Sequence, residues 1–361
     1  MTPKTRSKIG LCLCGGGITG GIYQVGCLTA LEERLQSFRA NDFDLYVGTS
    51  SGATVATALA GGLSVQRMYR ALLDPSDVFF KLQRNHLLKP DRAELKRVLN
   101  SALMTVRAIV SSAAVRPFEI KVADELERFI DSLPAGLFAL DGYERLMSET
   151  MERRDIPNRF DQMPRPLRIV ASDLDTGARA VFGAGELTDI PVSKAVAASS
   201  AIPLIFAPVR IGERDYVDGG LGDAAHIDLA AEFGCQLILV INPMVPVRAS
   251  DEENNVPTGH GRARRVRDKG LVWVYHQALR MRNQARLLLG LARFRGHHPN
   301  IDVVLIEPEP SVAMLFLYSS MNFTARRAVI EEGYTSTVKL LKDENSALTR
   351  ALLAHGVKLT Q

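Results

Sequence analysis

Three groups of residues carry the clearest chemical potential, and each lies next to an apolar stretch. In Gly48-Thr49-Ser50-Ser51-Gly52 a serine has a glycine two residues away on either side. That spacing suits a tight strand-to-helix turn: the flanking glycines avoid side-chain clashes as the backbone closes, and Ser50 stands out as an exposed nucleophile. Gly15-Gly16-Gly17 offers amide N–H groups unobstructed by side chains beside a helix N-terminus, which suits an oxyanion developing during acyl transfer. Extended to Gly20, the same run matches the dinucleotide-binding spacing, with Asp42 or Asp44 roughly 20 positions on. The glycines alone leave both readings open, and the second would make the chain an NAD(P)-binding oxidoreductase. Asp218-Gly219-Gly220 is either an ordinary turn or a carboxylate at a strand end, able to accept a proton.

The elements around these groups read as an α/β chain. An apolar strand over Ile9–Cys14 feeds the glycine run and then a helix from Thr19 to Phe38, with Ile22, Val25, Leu28 and Leu31 at helical spacing. A strand at Phe43–Val47 leads through the serine pentapeptide into an Ala-rich helix, Ala53–Ala60. Further strands are predicted at Leu167–Ala171, Ala180–Phe182, Asp215–Val217, Gln236–Ile241 and Asp302–Ile306, with Asp173 and Asp175 in a hairpin turn. Alternation of short β-rich runs with helices predicts a three-layer α/β/α fold on a mostly parallel sheet. The stretch 79–166, helical in pattern and broken by prolines, reads as an inserted cap in which Leu103, Met104, Ile109 and Val110 could cover an acyl channel. Ser50, Asp218 and the glycine loop all follow strands, so one edge of such a sheet can bring them together.

Gly15–Gly26, Gly48–Gly52, Ala198-Ser199-Ser200-Ala201-Ile202-Pro203 and Asp218-Gly219-Gly220 together resemble the four successive blocks of the patatin-like phospholipases, in order and in spacing. The resemblance covers roughly 9–72 and 167–241, and more weakly 302–341, within a domain spanning 9–342. It implies lipid acyl hydrolysis without a cofactor or metal: Ser50 as nucleophile, Asp218 as general base, Gly15, Gly16 and Gly17 as oxyanion hole, and Gly20, Gly48, Gly52, Gly219 and Gly220 as supports. Thr19 stands where the family usually carries Arg or Lys after the glycines, and together with the arginine-rich stretch near the C-terminal third this leaves a catalytically weak membrane-binding scaffold as an alternative reading. His226 lies close to where relatives commonly have Pro, which raises a Ser-His-Asp triad beside the expected dyad, or a helix-start or surface histidine.

Composition sets the frame. In 361 residues, 46% hydrophobic content, 23% charge and a net charge of +4 are those of an ordinary globular protein. The apolar run after the basic first residues is too short for a signal peptide, and no run reaches the length of a membrane-spanning helix, so a cytoplasmic chain with at most peripheral membrane contact is expected. Cys12, Cys14, Cys27 and Cys235 lie in apolar or strand-like stretches and read as buried thiols. The histidines show no metal-site spacing with cysteines or carboxylates. One marked charge cluster exists: ten Arg and Lys residues between Arg262 and Arg295, against the single acid Asp268, in a basic and partly helical stretch 248–298 that precedes a helical tail over 343–361. There Leu271, Val274, Tyr275, Ala278, Met281, Ala285, Leu288 and Ala292 keep helical spacing. That stripe either packs on the domain or lies on an anionic membrane; nucleic acid is not expected, because few aromatics interleave the arginines.

Overall fold

Alternation along the first strand decides the architecture. In β1 (Ile9–Leu13), Ile9, Leu11 and Leu13 join one core cluster, whereas Cys12 and the following Cys14 join another on the opposite face. A strand that is apolar on both faces needs helices on both sides. A computed structural model describes residues 7–74, 76–77, 89–90, 96, 100, 103–104, 107, 130–131, 133–223, 225–249, 256–258, 260–310, 312–317 and 323–360.

In chain order the main sheet comprises β1, β2 (Leu45–Thr49), β3 (Leu167–Asp173), β4 (Arg179–Phe182), β5 (Val209–Ile211), β6 (Arg214–Asp218), β7 (Leu237–Ile241) and β8 (Asp302–Ile306). Across the sheet β8, β7, β1, β2 and β3 run parallel, and β6 and β5 continue antiparallel beyond β3, which also pairs with β4. One face is covered by α1 (Gly17–Arg34), α2 (Ser51–Ala60) and α3 (Val192–Ser199), which share a cluster with Val329 and Ile330. The other carries α4 (Ile227–Glu232) and the 27-residue α5 (Leu271–His297), which contribute Ile227, Ala230, Leu287, Leu291 and Phe294. A helix over Phe323–Lys342 closes the first layer. The fold is a three-layer α/β/α arrangement on a mostly parallel sheet. All four cysteines are buried and free.

The elements differ from the sequence reading mainly at the ends that matter for chemistry. Helix α1 begins at Gly17, inside the glycine run, and stops at Arg34 because Leu35 turns extended. Strands β2 and β6 run on to Thr49 and Asp218. Much of the expected cap, 79–166, including Ile109 and Val110, lies outside the described residues; Leu103 and Met104 are exposed. Its described end carries a strand, Gly136–Ala139, paired in parallel with Leu204–Phe206, and a helix, Asp141–Glu152.

Candidate active site

Ser50 sits between the last residue of β2 and the first of α2, with φ 55° and ψ −125°. A non-glycine residue at positive φ is strained, at a cost of order 1–3 kcal/mol, and persists only where its surroundings hold it. Here the Ser50 amide donates to Ser199 Oγ at 2.8 Å, and Ser199 Oγ donates to the Val170 carbonyl at 2.5 Å. The Ser50 carbonyl accepts the Ala53 amide at 2.9 Å, which closes the turn. Both glycines of the pentapeptide are dictated by close approach: a Cβ on Gly48 would lie 2.5 Å from Ala53 Cα, and one on Gly52 2.2 Å from the Leu13 carbonyl. Ser199 lies in the third of the four sequence blocks, where residue type alone suggests no role for it. In the structure it joins the serine turn to the neighbouring strand.

Asp218 reaches Ser50 because β6 runs backwards. Strand registers pair Thr49 with Val170 and Ala171 with Asp218, so the end of an antiparallel strand arrives one step beyond the end of β2. The rule that functional groups project from the carboxyl ends of parallel strands is therefore met from the opposite chain direction. The Ser50 hydroxyl bears on Asp218 and tends to lower its pKa, and Asp218 Oδ1 accepts the Gly220 amide at 2.8 Å. Asp218 is 7% exposed, and burial raises its pKa from the ordinary carboxylate value to about 6, against the lowering effects of Ser50 and of the Gly220 amide. Gly219 lets the chain pass β3: a Cβ there would lie 2.3 Å from the Val170 carbonyl.

The glycine loop stands directly against the serine. A Cβ on Gly15 would come within 3.1 Å of Ser50 Cβ and 3.7 Å of Ser50 Oγ. Gly16 and Gly17 follow at φ +155° and +64°, and positions Gly16 and Gly20 pack on Pro243, after β7. Among the described residues the Gly15 and Gly16 amides donate to no other group. The dinucleotide reading of Gly15–Gly20 fails on the acids it needs. Asp42 and Asp44 precede β2, and Asp44 Oδ2 accepts the Ile9 amide at 2.7 Å. They stand at the start of β1, the end of the sheet away from the glycines, where neither can meet a ribose bound at the loop.

Ser50, Asp218, Gly15–Gly17 and Thr19 line one cavity of about 440 Å³. Its far wall is α5, through Trp273, His276, Arg280 and Asn283. The expected apolar stripe on this helix is not the buried one. Leu271, Val274, Ala278, Met281, Ala285, Leu288 and Ala292 are exposed, and the line that packs inward is Arg280, Asn283, Leu287, Leu291 and Phe294. The expectation that this stripe packs on the domain is thus corrected. Arg280 is likewise not a surface arginine. Its Nη1 donates to the Pro243 and Val245 carbonyls at 3.2 and 3.0 Å.

His226 caps α4 in a left-handed conformation. It starts a helix as expected, but it is buried rather than superficial. Burial lowers its pKa to about 4, and the charges acting on it are Asp223, Arg179 and Asp228 rather than Asp218. His226 stands outside the lining of the cavity that Ser50 and Asp218 share. Asp173 accepts the Asp175 and Thr176 amides at 3.0 and 3.1 Å, as a turn residue does. Among the described residues no cluster of His, Cys and carboxylates could hold a metal ion, and no helix is long and apolar enough to cross a membrane.

Fold and site together define an α/β domain that holds a serine on a strained strand-to-helix turn, against a buried carboxylate and a glycine loop. The chain belongs to the patatin-like phospholipase family, whose sequence profile matches residues 11–231. It is 26% identical over 231 residues to an intracellular phospholipase A2 of Caenorhabditis elegans, covering 63% of this chain and 17% of that protein. It is 21% identical over 224 residues to the probable lipid hydrolase 463L of Invertebrate iridescent virus 6, covering 60% of this chain and 62% of that protein. The chain thus spans less than two thirds of either relative. Among solved structures, VipD from Legionella pneumophila superposes with a TM-score of 0.41 at 15% identity, over 93% of this chain and 67% of that one.

Proposed function

We propose that the protein is a lipid acyl hydrolase that cleaves acyl esters of glycerophospholipids or related lipids through a Ser50–Asp218 dyad. The observation that carries this reading is a buried Asp218 under the influence of the Ser50 hydroxyl, the two lining one cavity faced by the Gly15–Gly17 loop. Asp218 takes the Ser50 proton as Ser50 Oγ attacks the ester carbonyl; an aspartate raised to about 6 is a better base than an ordinary one and is still ionised at neutral pH. The Gly15 and Gly16 amides at the start of α1, free of other acceptors, stabilise the tetrahedral oxyanion. Collapse leaves an acyl-Ser50, with the leaving alcohol taking the proton from Asp218. Water then attacks the acyl carbonyl, giving a proton to Asp218, and the fatty acid departs as Ser50 is restored.

The outer face of α5 supports a second element of the reading, peripheral docking on an anionic bilayer. Leu271 and Leu289 are 76% and 73% exposed, in a helix that carries five arginines and no acid. Such a face suits the headgroup boundary of a membrane. Two copies of the helix would instead oppose like charges. The same helix lines the cavity through Trp273, His276, Arg280 and Asn283, so docking would bring the site close to its lipid.

The test is labelling with a fluorophosphonate together with a lipidomic assay on wild type and Ser50→Ala. Labelling at Ser50 and release of fatty acid by wild type alone are expected. Equal ester turnover in the two proteins would remove catalysis from Ser50.

A further inference from the structure

Helix α5 turns His276, Arg280 and Asn283 toward the cavity at relative positions i, i+4 and i+7, one face of a helix. None of the three is satisfied in the ordinary way. Arg280 is 4% exposed, yet among the described residues no carboxylate pairs with it, and burial alone lowers its pKa to about 10. One face of the guanidinium lies over the Phe316 ring, 5.6 Å from its centroid, and Nη1 serves two backbone carbonyls. Among the described residues His276 Nε2 and Asn283 Oδ1 are buried without a hydrogen-bond partner; the first can carry an N–H for an anion, whereas the second only accepts and leaves Nδ2 as the donor of Asn283. A buried cation without a counter-charge is costly to the fold, and unpaired buried polar atoms add to that cost. Arg280 and His276 Nε2 on one wall of one cavity call for an acceptor, and the Asn283 amide nitrogen stands beside them as a further donor.

We propose that His276, Arg280 and Asn283 form an anion subsite that takes the phosphodiester of the substrate lipid while its ester lies at Ser50. This rests on the reading of the cavity as a lipid acyl hydrolase site. The guanidinium is planar and multiply donating and matches a phosphate, with an Asn283 amide N–H and the His276 ring beside it. The placement suits a headgroup. A Cβ on Gly220 would lie 3.8 Å from Asn283 Nδ2, and the Gly220 amide itself bonds Asp218, so the subsite begins one residue from the dyad. It also supplies from α5 a positive charge that Thr19, at the start of α1, does not. Helix α5 lies beyond the residues matched to the family, 11–231, so the subsite rests on this chain's own residues and not on the family match.

Binding to the full-length Ser50→Ala protein, measured by calorimetry, tests this without requiring turnover. The probes are a short-chain phosphatidylglycerol below its micellar concentration, the uncharged diacylglycerol with the same chains, and inorganic phosphate. Arg280→Gln keeps an amide donor for the Pro243 and Val245 carbonyls but removes the charge. It should weaken phosphatidylglycerol about tenfold or more and diacylglycerol by less than about twofold. Arg280→Lys should fall between, and Asn283→Leu should weaken phosphatidylglycerol about threefold without lowering the melting temperature. Equal weakening of both lipids, the outcome if Arg280 only ties down the backbone, overturns the proposal, as does unchanged phosphatidylglycerol binding. Phosphate bound through Arg280 as tightly as the phospholipid would overturn the headgroup assignment in favour of a free anion. If Arg280→Gln does not fold, the other two variants decide on the same ratio. A wild type that hydrolyses no lipid would sink the proposed function and leave this binding result standing.

Discussion

Replacing Asp218 by Asn should make the protein more stable and less active, with a pH dependence that identifies the cause. Asp218 is buried, and its pKa stands at about 6 against an ordinary carboxylate value of 3.8. Between those values the folded chain holds a proton that the unfolded chain has released, so wild-type stability falls as pH rises through this window. At about 1.4 kcal/mol per pH unit, the ionised carboxylate costs the fold about 3 kcal/mol at pH 7, and nothing below about pH 3. The asparagine side chain keeps an oxygen for the Gly220 amide while the buried charge goes. Denaturant titration of both proteins from pH 3 to 8 should show the Asn variant gaining on wild type between about pH 4 and 6, then holding an advantage of about 2–3 kcal/mol. Turnover should meanwhile drop by about 10²–10⁴-fold, the worth of a general base. An Asn variant that is no more stable than wild type at pH 7, or one whose advantage does not change with pH, would refute the account of Asp218 as a desolvated base.

Three further outcomes follow from the same geometry. The pH profile of kcat/KM should rise about tenfold per unit up to about pH 6 and level off above, since only ionised Asp218 accepts the serine proton; a profile flat from pH 4 to 8 would exclude Asp218 as the base. Ser50→Gly should be more stable than Ser50→Ala by about 1–2 kcal/mol in chemical denaturation, because glycine adopts φ 55° without strain; equal stabilities would mean that the turn stores none. Replacing Arg286 and Arg293 by Gln on the outer face of α5 should weaken binding to anionic vesicles by roughly tenfold or more and leave neutral vesicles unchanged; sedimentation with equal affinity for both proteins would discard this surface.

The sequence by itself determined the local chemistry, because the motifs are local. A serine between Gly48 and Gly52, after an apolar strand and before an Ala-rich helix, permits one tight turn, and the close approaches of Ala53 Cα and the Leu13 carbonyl are the reason. The apolar runs likewise named most strands of the sheet. The tertiary structure alone decided how distant segments meet. Asp218 arrives beside Ser50 through an antiparallel strand whose direction no residue near it encodes, and its raised pKa comes from burial by neighbours far away in sequence. The glycine loop was readable in two ways until Asp42 and Asp44 fell at the opposite end of β1. The helical period of 271–297 was visible, but not its phase: both the Leu271–Ala292 stripe and the Leu287–Leu291–Phe294 line are apolar, and the sheet buried the second. That choice of face, made by packing and not by composition, carried Arg280 and Asn283 off the surface and into the wall of the cavity.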